Sequence, residues 1–186
     1  MFFIWGMNKL HNFNSGPSIL PQEVLQQASE AIFNFNNTGL SILEIGHRTK
    51  WFVDVIEEAK TLVKQLMQIG DEYEVLFLQG GATTQFMQVP MNLLPSNGLA
   101  AYCDDGTWGS KAVKEAKLFG GVEVVASSKN KSYTYINKDF IIPSNASYLH
   151  LTSNNTVEGT QWHSFPETNV PIVADMSSDI FSRNLP

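Results

Sequence analysis

The chain has 186 residues, 43% of them hydrophobic and 16% charged, which is apolar material enough for one domain with a core. A formal net charge of -6, with no run of Lys or Arg, excludes a charge-driven grip on nucleic-acid phosphates. The single cysteine, Cys103, excludes an internal disulfide and a cysteine-rich metal cluster and fits a reducing, cytoplasmic setting. No apolar stretch reaches bilayer length, so no membrane span is expected.

The leader MFFIWGM is apolar but shorter than a signal-peptide core and lacks a basic start. Met7 is a candidate initiator, and residues 1–6 are read as an extension or tag remnant. After a polar entry, Gln22 to Phe33 places Val24, Leu25, Ala28, Ala31 and Ile32 on one helical face. Thr49 is the expected N-cap of a second helix whose stripe is Phe52, Ile56, Ala59, Val63 and Leu66, with Gly70 just past its end.

From there strands and helices alternate. A strand over Tyr73–Leu78 leads to a helix over Thr83–Leu94, and a strand over Leu99–Tyr102 to a helix over Trp108–Phe119. Strands over Val122–Ala126, Ser147–Thr152 and Val170–Ala174 follow. Such alternation implies right-handed crossovers and parallel pairing, so the expected fold is α/β, an open, mostly parallel sheet flanked by helices.

In open α/β sheets ligands bind beyond the carboxyl ends of the strands. Gly80-Gly81-Ala82-Thr83 is one such end. Glycines there allow a tight turn, and the exposed amides and dipole of the following helix suit a phosphate, with Thr83 and Thr84 as added hydroxyls. The same residues also suit a plain strand–helix turn. They fit neither a Walker loop, which needs a lysine, nor GxGxxG. Trp108, at the next strand end, either stacks on a planar ring or packs against a neighbouring helix or subunit. Thr156 offers a hydroxyl at a third. Asp175 ends the apolar run VPIVAD and needs a partner. That partner is either the amides of the next turn or a cationic ring nitrogen, which the carboxylate would keep protonated. Asp179 is a rival, offset from the strand end. His47-Arg48 precedes the second helix; the pair is either a solvated helix start or an anion clamp. The four histidines are too scattered for metal spacing or a Ser-His-Asp triad.

Six stretches, FNSGPSILPQEV, GHRTKWF, LFLQGGATTQF, GTWGSKAVKEA, LTSNNTVEGTQ and VADMSSDIFSR, occur in this order and together resemble the phosphoserine aminotransferase family of fold-type I, class V pyridoxal-phosphate enzymes. The resemblance covers nearly the whole chain after Met7. It implies pyridoxal 5'-phosphate as cofactor, its phosphate on the Gly81-Ala82-Thr83 turn, its ring stacked on Trp108, its phenolic-oxygen side at Thr156 and its ring nitrogen at Asp175. His47 and Arg48 then meet the substrate's anionic groups. The implied reaction moves an amino group from glutamate to 3-phosphohydroxypyruvate, giving O-phosphoserine and 2-oxoglutarate in serine biosynthesis, in a cytoplasmic homodimer.

One departure stands out. No lysine follows Lys138, whereas the family's Schiff-base lysine lies a little beyond the DMSSD segment. On this reading residues 1–20 form an N-terminal segment and 21–186 an incomplete pyridoxal-phosphate-binding large domain whose C-terminal part is missing. The lysine is expected beyond Pro186, and the chain alone is expected to be inactive. The alternative is a non-catalytic α/β module that binds a phosphorylated small ligand and needs no lysine.

Overall fold

The computed structural model describes residues 10–184 and divides the chain into two compact units, Met1–Val75 and Leu76–Pro186. Residues 1–6, read above as an extension, lie outside the described residues.

In the first unit, α1 (Gln22–Asn34) and α2 (Lys50–Met67) form where the apolar spacing places them. Thr49 caps α2 as expected, its hydroxyl oxygen accepting the Phe52 amide. The other end differs from expectation. Gln68, not Gly70, takes the left-handed conformation (φ 55°) and sends its N–H back to the Lys64 and Gln65 carbonyls. A left-handed cap has to fall where its amide meets the last free carbonyls, and that geometry outweighs glycine's lower strain two residues later. The apolar stripes are only partly covered. Phe52, Ile56, Ala59 and Val63 are half-buried, whereas Leu66 and most of the α1 stripe are exposed. Ile45 alone is buried among the described residues of this unit.

The second unit holds the sheet. Its strands are β1 (Leu99–Asp104), β2 (Gly121–Ser127), β3 (Ala146–Thr152) and, after a small antiparallel hairpin of β4 (Asn154–Asn155) and β5 (Thr160–Gln161), β6 (Ile172–Asp175). The order is β2-β1-β3-β6 and every pair in the sheet is parallel, as expected. Two helices, α3 (Gly81–Leu93) and α4 (Thr107–Ala116), accompany it.

Alternation along β1 shows how the faces divide. Ala100 and Tyr102 join Phe86 of α3, Ala112 of α4 and Tyr148 of β3 in one core cluster. Ala101 and Cys103 point the other way, into a second cluster with Leu149, Leu151 and Trp162. Each face thus has its own cover, as a parallel sheet requires.

The strand expected over Tyr73–Leu78 is absent. The segment pairs with nothing among the described residues, and Leu76, Phe77 and Leu78 are exposed. An apolar run becomes a strand only when a neighbour takes its N–H and C=O groups, which composition alone does not supply.

Candidate functional site

The unit's cluster on the α3/α4 face draws in some of the candidate residues, although the turn at Gly80–Thr83 follows no strand, Tyr73–Leu78 having stayed out of the sheet. Ala82 in the first turn of α3, Trp108 in the first turn of α4, and Val173, two residues before Asp175, all pack against it. Gly81, Ala82, Thr83, Trp108, Thr156 and Asp175 therefore belong to one unit, with α3, α4 and β6 meeting a common core.

The start of α3 is built to be open. Gly80 (φ 103°) is its N-cap and contributes no side-chain hydrogen bond to the first-turn amides. Gly81 is also left-handed (φ 63°), and a Cβ added there would meet nothing within 4 Å. The Thr83 hydroxyl has no hydrogen bond among the described residues, but Thr84 is committed, its hydroxyl donating to the Gly80 carbonyl at 2.8 Å. Thr84 thus closes the turn from within and drops out as the extra donor expected above.

Trp108 and Thr156, 48 residues apart, are brought into contact. The indole Nε1–H donates to Thr156 Oγ1 at 3.3 Å, which fixes the plane of a half-buried ring. Lys111, one turn on, holds its ammonium 4.2 Å from the ring centroid. The loop bearing Thr156 is stapled to α4 a second time, because Glu158 Oε1 accepts both the Thr107 amide (2.8 Å) and the Thr107 hydroxyl (2.7 Å). This acid at a helix N-terminus does what an N-cap side chain does elsewhere. Gly106 makes the approach possible: a Cβ there would sit 2.6 Å from Asn155 Oδ1 and 2.8 Å from Glu158 Oε2.

Asp175 closes β6. Its Oδ1 accepts the Ser177 amide (3.1 Å) and hydroxyl (2.6 Å), the amide-capping partner weighed from sequence, and the residue remains half-exposed. In register it stands beside Thr152 of β3. Thr152 Oγ1 is buried with no partner among the described residues, as is Nδ1 of His150, two residues earlier on the same face. Tyr102 stacks on the His150 ring at 4.8 Å and Phe86 meets its edge at 6.2 Å. Burial lowers the His150 pKa to about 4 against the opposing pull of Asp175, so the imidazole is neutral near neutral pH.

Asp179, the rival, is 3% exposed and internally engaged, accepting from Ser153, Gln161 and Arg183. His47 and Arg48 lie in the first unit, both exposed just before Thr49, and neither makes a hydrogen bond or ion pair among the described residues. His150, Thr152, Glu158 and Lys111 escaped sequence reasoning. His150 and Thr152 read as ordinary members of an apolar strand, and Glu158 needs a partner 51 residues away. Among the described residues no cluster of His, Cys, Asp and Glu is placed to hold a metal ion.

Comparison with known proteins gives a consistent set of likenesses. The profile of the aminotransferase class-V family matches residues 10–185. The phosphoserine aminotransferase of Flavobacterium johnsoniae is 58% identical over 178 residues, covering 95% of the chain and 50% of that protein. The solved phosphoserine aminotransferase of Bacillus circulans subsp. alkalophilus superposes with a TM-score of 0.90 at 46% identity, over 94% of the chain and 49% of that structure. The PLP-bound phosphoserine aminotransferase of Trichomonas vaginalis gives 0.88 at 29% identity, over 96% and 51%. The chain spans about half the length of the curated relatives it matches.

Proposed function

The chain belongs to the class-V aminotransferase family, and we propose that the protein it represents is a pyridoxal-phosphate-dependent phosphoserine aminotransferase. Its reaction would transfer the amino group of glutamate to 3-phosphohydroxypyruvate, in serine biosynthesis, in a cytoplasmic homodimer. The observation that carries the reading is the Trp108–Thr156 hydrogen bond, on the unit whose Asp175 ends a strand of the same sheet. An aromatic plane, a hydroxyl and a carboxylate are the three contacts a pyridinium ring with a phenolic oxygen requires.

The residues fit the cofactor. The α3 amides lack a side-chain cap and face open space at Gly81, which suits a phosphate; Thr152 Oγ1 is a buried hydroxyl still wanting a partner beside Asp175. In the proposed assignment Gly81, Ala82 and Thr83 hold the phosphate, Trp108 supports the ring, Thr156 binds on its phenolic side and Asp175 faces its nitrogen. Bound there, pyridoxal phosphate supplies the electron sink and the carbonyl that takes up the amino group. Asp175 then keeps the ring nitrogen protonated, while Trp108 holds the ring plane and shields it from water. His47 and Arg48 are assigned to the substrate's anionic groups. The lysine that carries the cofactor is assigned to the half of the relatives' length that the chain does not span. Residues 21–186 then make part of the cofactor-binding large domain, and 1–20 precede it.

The test is an assay of the full-length protein with glutamate and 3-phosphohydroxypyruvate, with and without added pyridoxal phosphate. Cofactor-dependent formation of O-phosphoserine is expected. A protein that binds phosphate-bearing ligands yet turns over no keto acid would instead be the non-catalytic module. Asp175→Ala is expected to lower cofactor-dependent turnover by roughly 10²-fold or more, through loss of the charge facing the ring nitrogen. Undiminished turnover would remove Asp175 from that role.

A further inference from the structure

The turn after β6 and the loop after β3 are joined by one buried carboxylate. Asp179 Oδ1 accepts the Ser153 hydroxyl at 2.5 Å, and Oδ2 accepts from Gln161 Nε2 at 3.3 Å and Arg183 Nη2 at 3.4 Å. Ser153 and Gln161 stand on opposite arms of the hairpin loop whose tip carries Thr156. Arg183 also donates to the Trp162 carbonyl, tying down the returning arm. Ser153 in turn donates its amide to the Asp175 carbonyl at 3.0 Å, so the same residue touches the strand end that bears Asp175. A second link, Asn154 Nδ2 to Ser178 Oγ at 2.9 Å, runs parallel to it.

We propose that Asp179 is a positioning residue that sets the placement of Thr156 relative to Asp175. The inference rests on the reading of those two residues as cofactor contacts. Two carboxylate oxygens take donors from both arms of the loop and from the turn beyond β6, which a side chain with one acceptor cannot do. The Ser153 bond is shielded from water, since Asp179 is 3% exposed and Ser153 fully buried, so the geometry it imposes is stiff; the Gln161 and Arg183 contacts beside it are part-buried. Asp179 itself meets neither cofactor nor substrate.

The experiment uses the full-length holoenzyme. Asp179→Asn keeps the shape of the side chain and loses its charge and one acceptor. The expected result is a pyridoxal-phosphate dissociation constant raised at least tenfold. The pH at which the bound cofactor's ring nitrogen loses its proton should move down, because a displaced Asp175 holds that proton less well. Affinity for inorganic phosphate alone, the probe of the α3 turn, should stay within twofold. A variant that melts at lower temperature but keeps both the cofactor affinity and the spectral titration of the wild type would show a merely structural role and overturn the proposal. Should Asp179→Asn fail to fold, Gln161→Ala decides, since it removes one donor and leaves the Ser153 and Arg183 contacts. A rise of about threefold with the same spectral direction is expected, and an unchanged constant overturns the idea. Asp175→Ala, run alongside, separates the two layers: if it leaves cofactor binding and spectrum intact, the reading of the site fails first.

Discussion

Asp105, just beyond β1, is 1% exposed, and neither of its oxygens has a hydrogen bond of ordinary geometry. Burial pushes its carboxyl up to about 6, against the weaker opposing influence of the nearby Trp162 indole and Asn137 amide. Between the ordinary aspartate value and about 6 the folded state holds a proton that the unfolded state has released. Stability therefore falls as pH rises through that window, and the full penalty is present at pH 7. Asp105→Asn removes it. The variant is expected to be more stable than the wild type at pH 7, by at most about 3 kcal/mol, with the difference vanishing below about pH 4. Urea unfolding at pH 4, 5.5 and 7.5 checks this, and a constant difference across the three would contradict it. His150 works in the opposite sense. Its pKa is lowered to about 4, so its contribution to stability grows between pH 4 and the ordinary histidine value. The two slopes oppose each other in wild type, and Asp105→Asn should uncover the rise due to His150.

At the scale of elements, α4 shows how a loop replaces a local cap. No residue before Thr107 caps the helix with its side chain; Glu158 does so from the β4–β5 hairpin, reaching both the amide and the hydroxyl of Thr107. Glu158→Ala is expected to cost about 1 kcal/mol, the usual worth of an N-cap. It should also make Trp108 fluorescence more heterogeneous, since the loop holding Thr156 is released. Glu158→Gln keeps an acceptor oxygen and should lose less than half of that stability. Thermal melts with the fluorescence of Trp108, isolated by replacing the other tryptophans, distinguish the two variants. Helix positions and caps such as Thr49 were legible because they depend on neighbours a few residues away. The cap from Glu158 was not, because nothing near Thr107 in the chain announces it.

At the scale of the molecule, stability is unevenly spread between the two units. The second unit has both core clusters and four parallel strands, while Ile45 is the one buried residue described in the first. Amides of β1 and β3 are expected to exchange with solvent most slowly, and those of α1 among the fastest in helices, by several orders of magnitude. Hydrogen exchange followed by mass spectrometry reads this directly, and comparable protection of α1 and β3 would refute it.

Sequence by itself determined the α/β class, the helices, four of the five expected strands, and the candidate residues near the ends of β1, β3 and β6. Periodicity and turn chemistry are local, and the rule that ligands lie beyond strand ends needs only the order of elements. The ordered run of six motifs added the family. Tertiary structure decided what depends on register and pairing. It left Tyr73–Leu78 out of the sheet, set Thr152 beside Asp175, turned the Trp108 indole to Thr156, and engaged the buried Asp179 with Ser153, Gln161 and Arg183. Each of these turns on a hydrogen bond or ladder whose two partners stand far apart in the chain, or on the lack of one, and no window of sequence contains both ends.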